Sequence, residues 1–489
     1  MKRITVAILL AFSLLTAADL FAQVGRKLTS SEGCFHFGVT AAIDGDYAVI
    51  GASLGDINTR NDGAVYVFRR NGLAWEQEAR LIATDGEELD HFGSSVALTG
   101  DLLIIGAEGD DDNGDQAGAA YLYKRDGAVW QSEGKLYPSD GAAGARFGGG
   151  NEGNGSTSAA ASGAYVIIGA HDAQGGGAAY VFKRSDETWK EQARLTGSGG
   201  DFGIAVALHG DYAVVGAPGG IYAPGAAYVF VRNGEAWIQQ SKLTPADGTG
   251  DVRFGGAVSI YGDYVAVGVL GGPIFERPGA VYIFKRDGAN WEQQARLQAS
   301  DGMDNDAFGQ AVSLVDNHVI VGAPRFDGEN HRGAAYIFER EGTLWIEQAR
   351  LVGEANENFG RSTAARGNDL VVGAPSGCGA AYSYHLSSIV PTRVERVSGE
   401  VPEGYRLDQN YPNPFNPATS ISFGLPVAAH ARLVIYDMLG RAVGRLLDQP
   451  LQPGSYTVSW DASGYPSGTY LYRLSTNAFS QAKYLTVLK

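Results

Sequence analysis

The sequence predicts an all-β chain: a seven-bladed β-propeller followed by a small C-terminal β-sandwich. The first observation is a repeat. Phe-Gly recurs at Phe37, Phe92, Phe147, Phe202, Phe254, Phe308 and Phe359, at steps of 55, 55, 55, 52, 54 and 51 residues. A period of this size marks an array in which each unit buries its apolar faces against its neighbours. The second is the absence of any helical period, and the third is composition. Glycine makes up 69 of 489 residues, far above a usual share of about 7%.

The second copy shows how one unit is built. Phe92–Leu98 alternates small with apolar residues up to a turn at Thr99-Gly100-Asp101. Leu102–Ala107 follows as a short apolar run. An acidic loop leads to Gly118–Tyr123, and a polar turn precedes Trp130–Leu136. Four short strands separated by Gly, Asp and Asn turns make a β-blade. Blades converge on a central axis, so the inner strands need Gly, Ala and Ser. The outer strands, where gaps widen, hold Tyr121, Tyr123 and Trp130.

Counting predicts closure. The Gly-Ala-(Ala/Val)-Tyr strand begins seven times, at Gly63, Gly118, Gly177, Gly225, Gly279, Gly333 and Gly379. The Trp strand occurs six times, at Trp75, Trp130, Trp189, Trp237, Trp291 and Trp345. Arg26-Lys27-Leu28 matches the ends of those strands, such as Ala79-Arg80-Leu81. Residues 24–30 are therefore expected to complete the last blade, within a propeller spanning 23–386.

Residues 1–22 carry Lys2 and Arg3, an apolar stretch from Ile4 to Leu15, and Ala22 before a plausible cut. That is the pattern of a secretory signal peptide, and no other segment reaches the roughly 18 apolar residues of a membrane span. The chain carries a net charge of −16; residues 23–386 hold 27 Lys and Arg against 46 Asp and Glu, a balance of −19. Such a surface repels nucleic acid, whose binding needs Lys and Arg to neutralise phosphates. It favours solubility and leaves room for divalent cations. Cys34 and Cys378 are the only cysteines. They flank the expected closure on one face, where a disulfide would clip the ring; two free thiols are the alternative.

Phe-Gly, then Val-Gly-Ala-Pro, then Gly-Ala-Ala-Tyr, as at Phe202, Val215–Pro218 and Gly225, resembles the FG-GAP repeat of integrin α-subunits and many exported bacterial proteins. The resemblance spans 24–386 and implies a seven-bladed propeller. In the family's calcium-binding repeats an Asp-rich loop joins the Phe-Gly strand to the Gly-Ala-Pro strand. Here those strands meet in tight turns such as Asp44-Gly45-Asp46 and His209-Gly210-Asp211, too short to wrap a cation that needs six to eight oxygens. The family's calcium residues do not carry over.

After a polar linker, 387–404, the segment 405–489 changes character. Tyr411-Pro-Asn-Pro-Phe-Asn-Pro417 opens it, and Leu433–Gly440, Gly454–Tyr456, Trp460-Asp461 and Gly468–Tyr472 follow. Alternating strands between Pro and Gly turns predict a β-sandwich. The set resembles the type A sorting domain of the type IX secretion system of Bacteroidota. That resemblance implies the secretion machinery as a partner and an address at the outer-membrane surface or outside the cell.

Candidate chemistry is sparse. Asp110, Asp112 and Asp115 form the densest acidic loop, and Asp301, Asp304 and Asp306 a second. Both are candidate Ca²⁺ ligands, although the first misses the EF-hand spacing; a solvated acidic loop is the plainer reading. No cofactor is otherwise indicated. Asp-Gly recurs between blades at Asp85, Asp140, Asp247 and Asp301, which suggests a turn needing a positive φ at Gly. The eight histidines show no metal spacing, and no nucleophile elbow or P-loop is present. The repeated Trp residues suggest packing more than sugar stacking. The expectation is a non-enzymatic binding or adhesion module for protein or glycan. Its ligand would meet the loops between second and third strands, 53–62, 108–117, 171–176, 218–224, 270–278 and 324–332, where copies differ most. The alternatives are a polysaccharide-degrading enzyme on the same scaffold and a structural component of surface or matrix.

Overall fold

The computed structural model describes residues 25–31, 36–54, 62–72, 74–150, 157–186, 188–219, 224–246, 253–269, 279–326, 332–377, 379–389, 394–398, 400–462 and 465–488. The expected leader 1–22, Cys34, Cys378, Asp247, the loop 270–278 and parts of three other variable loops lie outside these residues.

Seven antiparallel four-stranded sheets come from residues 26–385. Blade one is Thr40–Asp44, Tyr47–Ala52, Ala64–Asn71 and Ala74–Leu81; blade two is Phe92–Thr99, Leu102–Ala107, Ala119–Asp126 and Val129–Leu136. In blade seven, Ser362–Arg366, Asp369–Ala374 and Ala380–His385 are joined by Arg26–Leu28 as the outermost strand, with Lys27 opposite Tyr382. The first strand of each blade packs against the first strand of the next, and blade seven packs back against blade one. The result is a closed β-propeller.

The close approach near the axis explains the Ile-Gly-Ala and Val-Gly-Ala motifs. A Cβ at Gly106 would fall on the carbonyl oxygen of Gly148 in the next blade, and one at Gly373 on that of Gly38 across the closure. Further out, each Phe of the Phe-Gly pair is sealed between sheets. Phe92 is fully buried and meets Tyr121 edge-on at 5.1 Å and Tyr123 at 6.4 Å, a geometry that adds about 0.5–1.5 kcal/mol beyond area burial. The propeller core is a series of wedges between neighbours: Val49, Val65 and Val67 of blade one pack with Phe92, Ile105 and Tyr121 of blade two. The closing wedge sets Leu28 and Val371 against Phe37, Ile50 and Tyr66.

The C-terminal region forms two further four-stranded sheets around one core that contains Leu433, Phe423, Trp460 and Tyr472. The span 387–404, expected as a linker, is not all linker. Val394–Ser398 pairs with Gly454–Asp461 and so belongs to this region, because its polar residues still leave a complete backbone edge to pair. The Pro-rich opening laces the two sheets together. Asn410 Nδ2 donates to Thr419 Oγ1 at 2.9 Å, and Asn413 Oδ1 accepts the Thr486 N–H at 2.9 Å. This region rests on the hairpin ends of the blades. Asn368 Nδ2 donates to Asp461 Oδ2 at 2.8 Å, and His385 packs edge-on to Tyr465.

Candidate binding face

One face of the ring carries the loops between second and third strands and the blade-to-blade connections; the other carries the tight hairpins. The loop face is organised around the Phe-Gly turns. The residue before each Phe is left-handed: His36, His91, Arg146, Asp201, Arg253, Ala307 and Asn358 have φ between 52° and 67°. Behind six of the seven, the N–H after Gly returns to its carbonyl, as Ser94 N to His91 O at 3.0 Å and Ile204 N to Asp201 O at 3.2 Å; at Asn358 the Arg361 N–H goes to Gly373 O instead. This backbone sets two His, two Arg, one Asp, one Ala and one Asn around the mouth of the ring, at the start of the innermost strands.

The candidate calcium ligands are engaged by protein groups. Asp110 is buried and Asp112 exposed, and between them lies an ammonium group. Lys135 Nζ is 2.8 Å from Asp110 Oδ2, 2.7 Å from Asp112 Oδ2 and 2.8 Å from Asp85 Oδ2. Tyr121 donates to Asp85 at 3.0 Å and Asp110 at 3.1 Å, and Tyr137 to Asp112 at 2.9 Å. The lysine supplies the positive charge a metal would have brought. The bonds from Lys135 and Tyr137 hold the Asp112 carboxyl below its ordinary value. Burial pushes the Asp85 carboxyl up, but bonds from Lys135 and Tyr121 outweigh it and bring it lower. Asp115 is exposed and offers its backbone carbonyl to Gly144 N.

The second acidic group is also structural. Asp301 accepts from Tyr336 OH at 2.9 Å and pairs with Arg350; Asp306 is buried and accepts the Met303 N–H at 2.8 Å; Asp304 is exposed. Among the described residues no three His, Cys, Asp or Glu side chains are placed to hold a metal ion.

The same arrangement recurs at other seams, and it corrects the reading of Asp-Gly. Gly86, Gly141 and Gly302 do not have positive φ. It is the aspartate that the position requires. Asp140 accepts from Tyr180 OH at 2.6 Å and pairs with Arg194 Nε at 2.8 Å. In each case the carboxylate leaves one blade and fastens the next, at a Tyr directly opposite a Lys or Arg on the outer strand. At the seam between blades six and seven Glu357 takes this part, 2.7 Å from Lys27 Nζ and bonded to Tyr382 OH.

On the hairpin face the repeated Trp residues pack, as expected. Trp130 meets Tyr47 of blade one edge-on at 6.0 Å, beneath the Arg125 guanidinium, 4.3 Å from the same ring. Trp237 Nε1 donates to Gln192 of the preceding blade at 3.0 Å. Of the variable loops, 108–117 and 171–176 are wholly described. His171 in the latter is buried, its Nδ1 3.2 Å from Gly149 O.

The family profile for the FG-GAP repeat matches residues 26–68, 75–123, 189–230, 237–284 and 291–338, and that for the secretion system C-terminal sorting domain matches 409–487. Among solved structures the chain is similar to Sqt1 of Saccharomyces cerevisiae, at 9% identity and TM-score 0.45, covering 81% of this chain and 94% of that one. Another is TolB of Acinetobacter baumannii, at 14% identity and TM-score 0.37, covering 64% and 66%. No helix among the described residues is long and apolar enough to cross a membrane. The sorting domain marks the chain for export to the outer-membrane surface or the extracellular space, with the secretion machinery as a partner. The chain is an FG-GAP repeat β-propeller carrying a type IX secretion sorting domain at its C-terminus.

Proposed function

We propose that this exported propeller is a non-enzymatic binding module whose loop face engages a protein or glycan outside the cell. The observation that carries the reading is a division of labour. The acidic and aromatic residues that recur from copy to copy are spent on holding blades together, whereas the residues before Phe-Gly share one backbone conformation and differ in side chain. A rigid ring presenting varied side chains is a recognition surface. Its polar groups are tied into seams rather than poised as a nucleophile with its base.

Glycan and surface-protein arrays probed with the exported protein test this. The expected result is a saturable ligand whose affinity falls about tenfold on Asp172→Asn with Gln174→Ala in the 171–176 loop, while the melting temperature holds. The captured ligand should be recovered intact after prolonged incubation. Recovery of a shortened ligand would replace this reading with the enzyme.

A further inference from the structure

The charge of the chain is divided between its two parts. Residues 405–489 carry seven Lys and Arg against four Asp and no Glu, a balance of +3, beside a propeller at −19. All four carboxylates lie among the described residues. Asp408 pairs with Arg406 at 3.1 Å and Asp437 with Arg441 at 2.6 Å, while Asp461 accepts from Asn368 of the ring. The fourth, Asp448, stands on one sheet among several cations. Glu395, Glu400 and Glu403, just upstream, lie on Val394–Ser398 or between it and Arg406–Leu407, both strands of the other sheet.

The sheet of Asp448 runs in the order Ala442–Leu451, Ala429–Tyr436, Gly468–Ser475 and Ser480–Val487. Its inner side chains, among them Leu433, Ile435, Tyr472 and Leu485, belong to the core. Strand alternation turns Arg432, Tyr436, Arg473 and Tyr484 to the opposite face. The register gathers them there. Arg445 and Arg473 flank Val434 on either side, Asp448 is opposite Arg432, and Leu471 stands between Tyr436 and Tyr484. Asp448 Oδ2 is 3.0 Å from Arg445 Nη1 and 3.6 Å from Arg432 Nε, and its Oδ1 is 2.7 Å from His430 Nε2. One carboxylate thus serves two arginines and a histidine. Arg473 lies over the Tyr436 ring at 4.7 Å and donates to its hydroxyl at 2.6 Å. The face is open: the side chains of His430 and Arg432 are 54% and 41% exposed, and Arg473 and Tyr484 are exposed. The ring meets the domain elsewhere, through Asp461, Tyr465 and a cavity between Arg26 and Arg441–Val443.

Three guanidiniums around one carboxylate leave this plane cationic after every pairing is counted. A flat cationic face edged by tyrosines suits a layer of phosphates. Arginines pair with phosphate oxygens, and Tyr rings sit at headgroup level with the polar tip in water. The sorting domain takes the chain to the outer-membrane surface or beyond it, where phosphate-bearing lipid is the plane such a face meets. We propose that the outer face of this sheet docks on anionic lipid headgroups, with Arg432, Arg445 and Arg473 on the phosphates and Tyr436 and Tyr484 at the interface. The acidic ring is repelled by the same surface, so charge alone orients the molecule upon it. This goes beyond the loop-face reading and does not depend on it.

Sedimentation of the full chain with lipid vesicles tests it. Phosphatidylcholine vesicles holding about 30% phosphatidylglycerol should carry the chain down in about 50 mM salt, and pure phosphatidylcholine about tenfold less. Raising the salt to about 0.5 M should release it. Arg473→Gln should weaken binding about fivefold, and Arg432→Gln with Arg445→Gln about tenfold or more. If that pair melts early because Asp448 has lost its partners, Ala482→Lys keeps the test open. It adds a cation at an exposed position opposite Arg473 and should strengthen binding about fivefold. Equal binding to neutral vesicles, no release by salt, or indifference to both Arg473→Gln and Ala482→Lys would each overturn the proposal. Displacement by inorganic phosphate beyond that by chloride at equal ionic strength would also overturn it, by giving the face to a single free anion. Preference for poly-glutamate over the acidic vesicles would overturn it in favour of an acidic protein.

Discussion

On the loop face, the seam between blades one and two is held by Lys135 among three carboxylates. On the hairpin face, the same seam is held by Arg125 over Tyr47 with Trp130 edge-on. The hairpin fastening repeats where a Tyr begins the second strand: Arg286 and Trp291 meet Tyr212, and Arg340 and Trp345 meet Tyr264, at nearly the same distances, whereas at the closing seam Arg70 pairs with Asp369. The loop fastening changes its partner from seam to seam, using Asp140 with Arg194, Ser198 with Lys242, and Glu357 with Lys27. One face is held by ring stacking that no proton disturbs within the physiological range. The other depends on ionised carboxylates. Loop-face seams should therefore respond more to charge and acidity than the hairpin-face seams built on Tyr and Trp.

The largest effect should come from Lys135→Met. It strands Asp110, 2% exposed, without its cation, and removing one partner of a buried pair costs about 3–5 kcal/mol. Urea unfolding measures it; a loss no larger than that of a Trp substitution would erase the distinction between the faces. Next is the closing seam. Phe37 and Gly379, which flank the two cysteines, are in direct contact. A Cys34–Cys378 bridge there should raise the intact mass by about 2 Da on reduction and lower stability by about 2–4 kcal/mol. An unchanged mass leaves that seam to its apolar wedge of Leu28, Val371, Phe37, Ile50 and Tyr66 and to the Arg70–Asp369 pair.

Acidity separates the faces more finely. Burial, reinforced by Asp110 and Asp111 and opposed by a bond from Glu87 N, pushes the Asp90 carboxyl up to about 6. The folded state therefore holds this proton more tightly than the unfolded chain. The stability it contributes is full below about pH 4 and lost as pH rises through about 6. Asp90→Asn should be more stable than the parent by about 1–3 kcal/mol at pH 7.5, a gain that vanishes near pH 4. Asp85 and Asp112, held low, act in the opposite sense: their contribution is present above about pH 4 and fades below it. A gain from Asp90→Asn that is flat with pH would sink this account. The smallest effect belongs to the hairpin face. Trp237→Phe, losing the bond to Gln192, should cost about 1 kcal/mol at any pH from 4 to 8 and leave ligand affinity unchanged. A fall in glycan affinity would make these rings ligand platforms.

Much of the ring was legible because its rules are local. Phe-Gly and Val-Gly-Ala mark places where backbones touch, and only Gly fits at Gly106 or Gly373. Lys27-Leu28 could be matched to Arg80-Leu81 because both pair with the same strand position, opposite Tyr382 and Tyr66. What was not legible depends on residues brought from afar. Asp85, Asp110 and Lys135 are separate motifs along the chain, and their convergence removes a calcium site that the acidic loop alone suggested. The repeat could have revealed it, since a Tyr stands opposite a basic residue in copy after copy. The mouth was hidden for a different reason: the residues before Phe-Gly share only their backbone angles, and five residue types at seven positions leave no pattern to read. Val394–Ser398 was missed because five polar-rich residues look like a tether until an edge is found for them.

The polypeptide leaves the ring at His385, on the hairpin side, and the sorting domain sits there as well. Any attachment to the cell envelope made through the C-terminus therefore grips the ring from below. With such an attachment the loop face would be turned outward, like a dish on a stalk, and would meet soluble or neighbouring-cell material before the envelope beneath.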